Sequence, residues 1–137
     1  MVDTEQEDAI AVEAANQAFY DAFEQRDFEA ISDFWEHSPR VTCTHPGWST
    51  LHGWSSVSAS WFALVTNTQR LQFILTNTQV AVANDAAWVS CDENILDSES
   101  STTVAALNVF VRNDDARYGW LLVAHSGSVV YARAEAP

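Results

Sequence analysis

A chain of 137 residues has room for one domain (1–137) with one sizeable core, and 47% apolar residues exclude a disordered segment. Nineteen acidic residues stand against six basic ones, all Arg, and the net charge of -13 argues against nucleic acid or an anionic membrane as partner. The opening MVDTEQEDAI is acidic and lacks an apolar run, and no stretch approaches the roughly 18 apolar residues of a membrane span, so the expected location is cytoplasmic. Cys43 and Cys91 fit no zinc or redox spacing and are expected to stay reduced there.

Thr4 followed by Glu7 fits a capping box that opens a first helix. Val12, Ala15, Phe19, Ala22 and Phe23 then recur at helical spacing and form one apolar stripe. Asp27 is a good N-cap for a second, short helix carrying Phe28, Ile31, Phe34 and Trp35, which Pro39 ends. Residues 40–45 alternate as a short strand, with Val41, Cys43 and His45 on one face. The segment PGWSTLHG reads as a loop from its Pro and Gly content. A third helix carries Trp54, Val57, Trp61, Leu64 and Val65, and Asn67 is suited to close it.

From there the pattern is β. Residues 70–83 form a long strand with Leu71, Phe73 and Leu75 on one face, and Ala83-Asn84-Asp85-Ala86 is a tight turn into a strand over 86–96. Asp97 to Ser101 is a polar loop, and strands over 102–112 and 118–126 meet across Asn113-Asp114-Asp115. Val104, Ala106 and Phe110 line one face of the first of these, while Ala105, Leu107, Val109 and Val111 line the other. A sheet with one wet face should be polar there, so both faces are covered. The helices cover only one, which predicts a homodimer.

The order of helix, helix, short strand, helix and four long strands resembles the nuclear transport factor 2-like superfold. AFYDAFEQRDFEAISDFW looks like the opening helix pair of its SnoaL-like domains. VTCTHPGWSTLHGWSSVSASW resembles the stretch H-P-G-W, L-x-G-W, V-x-x-S-W of one uncharacterised subgroup, and LNVFVRNDDARYGWLLVAHSGS resembles the family's closing strands. The resemblance implies an α+β, cone-shaped fold, with three N-terminal helices packed on a curved, mainly antiparallel sheet around a cavity. Relatives often carry a run of His in the last strand, where this chain has only His125.

Candidate lining residues follow from that cavity and from periodicity. Tyr20, Trp35, Trp48, Trp54, Trp61 and Asn108 are candidates for ligand binding, and Glu93, His125 and His45 for chemistry. Glu93 falls between Cys91 and Ile95 on an inward face, where burial raises a carboxyl's pKa and suits it to proton transfer near neutrality. The competing reading makes it a surface charge or the partner of an Arg. His45 and His125 titrate nearest neutrality, but His45 also fits a turn-fixing role and His125 a satisfied sheet or dimer surface. Trp35, Trp54, Trp61 and Trp120 fit a core, whereas the loop residue Trp48 fits either a ligand gate or simple lid packing. His37 and His52 lie in polar stretches and are expected to be solvated. No metal site is expected from these spacings. The leading expectation is a homodimer that binds a small hydrophobic or aromatic molecule and, if it is an enzyme, moves a proton without a cofactor. The alternative is a non-catalytic association module like the oligomerising domain of calcium/calmodulin-dependent kinase.

An acid-rich, Lys-free surface fits a protein that works in strong brine, where salt screens the repulsion among carboxylates. Ordinary acidic solubility is the competing reading. Under the first, the melting temperature climbs steadily from low salt to molar KCl. A flat or falling curve would leave the composition without that meaning.

Overall fold

The computed structural model describes residues 3–67 and 69–131. Met1 and Val2, the start of the acidic N-terminal segment, lie outside the described residues. Three helices, α1 (Thr4–Glu24), α2 (Phe28–Asp33) and α3 (Trp54–Thr66), pack on a six-stranded sheet. Its strands are β1 (Thr42–Thr44), β2 (Leu51–His52), β3 (Gln72–Ala83), β4 (Ala86–Leu96), β5 (Ser101–Arg112) and β6 (Trp120–Val129), in spatial order β2-β1-β6-β5-β4-β3. The last four run as an antiparallel meander, and β1 joins β6 in parallel. This is the expected α+β cone.

Local chemistry departs from the sequence reading at two places. The cap of α1 is Asp3, not Thr4: the Asp3 carboxylate accepts the Glu5 N–H, and a negative charge suits a helix N-terminus. Asn67 closes α3 as expected, in extended backbone with φ -62° and ψ 140° and its N–H turned to the Leu64 carbonyl. The segment after His45 is more than a loop, because β2 pairs back on β1, Thr42 facing His52 and Cys43 facing Leu51. Two residues are too few for alternation to show in a sequence. Asp27 caps α2 as expected, taking the Ala30 N–H. Asn84, at φ 57°, makes the β3–β4 turn.

The core lies between the helices and one face of the sheet. Val12, Ala15, Phe19 and Tyr20 of α1, Ile31 of α2, and Val57 and Trp61 of α3 meet Ala87, Val89 and Cys91 of β4 and Ala106 and Phe110 of β5. Phe19 stands edge-on to Trp61, with centroids 5.3 Å apart, and Phe23 stands edge-on to Trp61 at 4.9 Å. Such aromatic pairs stabilise by about 0.5–1.5 kcal/mol beyond the area they bury.

Bulges shape the sheet where the site lies. The β3–β4 register shifts between Thr76 and Gln79. On β6, Leu122 faces Phe110 and Ala124 faces Val109, so Val123 is an extra residue. Plain alternation from Trp120 and Leu122 would send His125 outward. The bulge sends it inward, opposite Asn108.

Candidate functional site

Inside the sheet lies a connected set of buried polar side chains. Glu93 comes from β4, Asn108 from β5, His125 from β6, and Tyr20 and Asn16 from α1; all are buried. Asn16, Phe19, Tyr20 and Phe23 recur at three- and four-residue steps along α1, which puts the two polar groups on its core-facing stripe. The Tyr20 hydroxyl donates to Glu93 Oε2 in a short bond. Asn108 Nδ2 donates to the Tyr20 oxygen at 3.1 Å and to Asn16 Oδ1 at 2.9 Å. His125 Nδ1 meets Asn108 Oδ1 at 2.5 Å. Glu93 and His125 are thus joined through Tyr20 and Asn108, not by a direct hydrogen bond between them.

The electrostatics follow from the shortage of water and of cations. Among the described residues no Arg forms an ion pair with Glu93. Burial pushes its carboxyl up to about 7, a rise that the Tyr20 hydrogen bond only moderates. Tyr20 is pushed well above the ordinary phenol value, first by burial and then by Glu93. The Cys43 and Cys91 thiols, raised to about 12 and about 11 by burial and then by Glu93, stay protonated.

His45 belongs to a second cluster. Ser60 donates its hydroxyl to the Val57 carbonyl at 2.7 Å, so it accepts from His45 Nε2 at 2.8 Å. Cys43 Sγ lies 3.6 Å from the same nitrogen. Because the thiol is firmly protonated, this pair is not an activated nucleophile. Burial lowers His45 to about 4 and His125 to about 3, the latter also through the nearby His45, so both rings are neutral at pH 7. Their centroids are 6.3 Å apart.

The tryptophans separate by environment. Trp35 and Trp61 are wholly inside the core, and the indole N–H of each is buried without a hydrogen-bond partner. Trp54 is half-buried, tilted against Trp35, and stacked flat on His37 with centroids 4.3 Å apart. Trp48 is 44% exposed and edge-on to His45 at 4.8 Å, a side chain standing at the rim beside the second cluster. His52 is exposed.

A cleft of about 800 Å³ lies elsewhere, between the start of α1 and the β3–β4 turn. Its wall is Arg112, which holds Asp8 at 2.8 Å and Asp85 at 3.1 Å and lies over Trp120. Arg112 pairs with two of the acidic residues that line it, and the arrangement is a clamp between helix and sheet. Among the described residues no three His, Cys, Asp or Glu side chains converge to hold a metal ion.

Sequence reasoning missed Asn16 and Ser60. Both carry the same signal: a polar residue on the apolar stripe of a helix, one turn from Tyr20 and between Val57 and Trp61, respectively.

The comparisons agree with this fold. A SnoaL-like domain family matches residues 12–132. No curated protein matches the chain. A Streptomyces avermitilis protein, proposed to be a dehydratase of the NTF2-like family, is 36% identical with a TM-score of 0.84, over 94% of this chain and 100% of its own. A proposed calcium/calmodulin-dependent protein kinase type II association domain from Thiobacillus denitrificans is 31% identical with a TM-score of 0.72, over 86% of this chain and 94% of its own. The CaMKII hub of S. rosetta, 21% identical with a TM-score of 0.75 over 89% of this chain and 96% of its own, shares the fold. With the helices, the six-stranded cone and the family match in register, the chain belongs to the SnoaL-like family of nuclear transport factor 2-like domains.

Proposed function

We propose that this chain binds a small hydrophobic or aromatic molecule on the inner side of its sheet and moves a proton on it with Glu93 and His125. The observation that carries this reading is Glu93 itself, a buried carboxyl held by a phenol and matched by no ion pair among the described residues. A fold that needed only packing would not retain it, because an unmatched buried carboxylate is costly. A carboxyl near 7 works as acid or base at neutral pH. The neutral imidazole of His125 supplies a second site for a proton.

The Streptomyces avermitilis relative suggests the reaction type. In a dehydration, a base takes a proton from carbon and the C–H electron pair becomes the new double bond. The C–O bond breaks, and an acid protonates the departing oxygen as water. Ionised Glu93 as base, returning that proton to the departing oxygen as acid, satisfies that balance, with His125 accepting a hydrogen bond from substrate.

Aryl ketones and aryl β-hydroxyketones in heavy water test the reading by mass spectrometry. The protein is expected to speed deuterium entry beside the carbonyl, or loss of water, and Glu93→Gln to lower the rate by about 10²–10⁴-fold. A panel with no protein-dependent exchange would overturn it.

A second reading, the association module, rests on the outer sheet face. Ile74 (46% exposed), Trp88 (43%) and Leu107 (44%) all point there, away from the helices. A second copy covering this face would bury on the order of 1,200–2,000 Å² in total. Light scattering at micromolar protein in high salt should report a dimer under either reading, and a monomer would remove this covering. Dimers that fail the exchange assay would leave the association module standing alone.

A further inference from the structure

The buried chain leaves each of its members one choice. Tyr20 has a single hydroxyl hydrogen and gives it to Glu93, so its oxygen accepts from Asn108. The group that Asn108 turns toward Tyr20 is therefore its NH2. The second amide hydrogen goes to Asn16, which pins the amide from the helix side. The Asn108 carbonyl oxygen is left facing His125 Nδ1, and a carbonyl oxygen only accepts. The bound proton of a neutral imidazole then sits on Nδ1, and Nε2 is the basic nitrogen. Among the described residues, the side-chain hydrogen bond of His125 is the one at Nδ1.

We propose that Asn108 is a positioning residue that locks His125 in its Nδ1–H tautomer, so that Nε2 is the nitrogen that accepts a hydrogen bond from substrate. The role of Nε2 rests on the proton-transfer reading above; the tautomer itself does not. The geometry gives Asn108 a place no other residue shares. It sits directly across the β5–β6 ladder from His125, and it reaches both buried polar residues of α1, Asn16 and Tyr20. The ring of His125 is also held by packing, with Phe19 at 5.9 Å and Trp61 at 5.5 Å between centroids. Packing fixes where the ring lies, but neither aromatic side chain hydrogen-bonds to it, so neither chooses between its nitrogens.

Heteronuclear NMR of isotopically labelled histidine reads the tautomer without any substrate. At about pH 8, where the ring is neutral, His125 of the parent protein is expected to show a protonated Nδ1 and an unprotonated Nε2. Asn108→Asp keeps an acceptor at the same place and should keep that pattern. Asn108→Leu removes the acceptor, and His125 should pass from essentially all Nδ1–H to mostly Nε2–H. Asn108→Ala serves where the Leu variant does not fold. Parent protein found as Nε2–H, or an unchanged tautomer in the variant without the acceptor, would overturn the assignment. The expected tautomers with no exchange in the ketone assay would leave Asn108's role intact and sink only the catalytic reading.

Discussion

Acidification is expected to unfold the protein steeply below about pH 5, through the two buried histidines. His45 and His125 hold folded values of about 4 and about 3, below the ordinary 6.5, because burial penalises their charged forms. The unfolded chain therefore takes protons first as pH falls below 6.5, and stability is lost until pH passes the folded values. At about 1.4 kcal/mol for each pH unit between folded and unfolded values, the two together cost on the order of 8 kcal/mol when fully charged. That compares with a typical total stability of about 5–15 kcal/mol. Glu93 works in the other direction. Its value is raised, so the folded state gains stability as pH falls from 7 toward 4.5, by about 3 kcal/mol. The two effects nearly cancel between pH 7 and 6, and the histidines win below. Circular dichroism against pH should show a plateau near neutrality and then a cooperative loss. His125→Gln should shift that loss to lower pH. Equal acid midpoints in the parent, His45→Gln and His125→Gln would show that neither ring governs it.

Glu93→Gln should make the protein more stable at pH 8, by up to about 3 kcal/mol, and by only about 1 kcal/mol at pH 5.5. The carboxylate of the parent is ionised above its folded value of about 7 and sits where water is scarce. The amide removes that charge, keeps the shape, and still offers Tyr20 an oxygen to donate to. Urea unfolding at the two pH values measures the difference directly. A variant that is stabler yet inactive is the signature of a residue kept for chemistry at a cost in stability. A variant less stable than its parent at pH 8 would instead make the carboxylate a structural anchor. The same substitution removes the compensating gain on acidification, so the variant's stability should fall continuously from about pH 7 downward and meet the parent's only below about pH 4.5.

The sequence by itself determined the order of the three helices and of every strand but β2, because periodicity is written locally. The stripe of Val12, Ala15 and Phe19, the alternation through Cys91 and Glu93, and the turn at Asn84 each depend on neighbours a few residues away. It also put Glu93 on one face with Cys91 and Ile95, but only the structure shows that this face is the buried one. Tertiary structure alone decided what Glu93 touches. Its partner Tyr20 lies 73 residues earlier, and Asn108 reaches Asn16 across 92 residues. The inward turn of His125 was also beyond local reading, because the extra residue Val123 is defined only against the facing strand β5. Where α1 settles on the sheet sets these meetings, and that depends on packing the whole core at once. Alternation along one strand specifies a face. Only the folded whole specifies which side chain from another element stands opposite it.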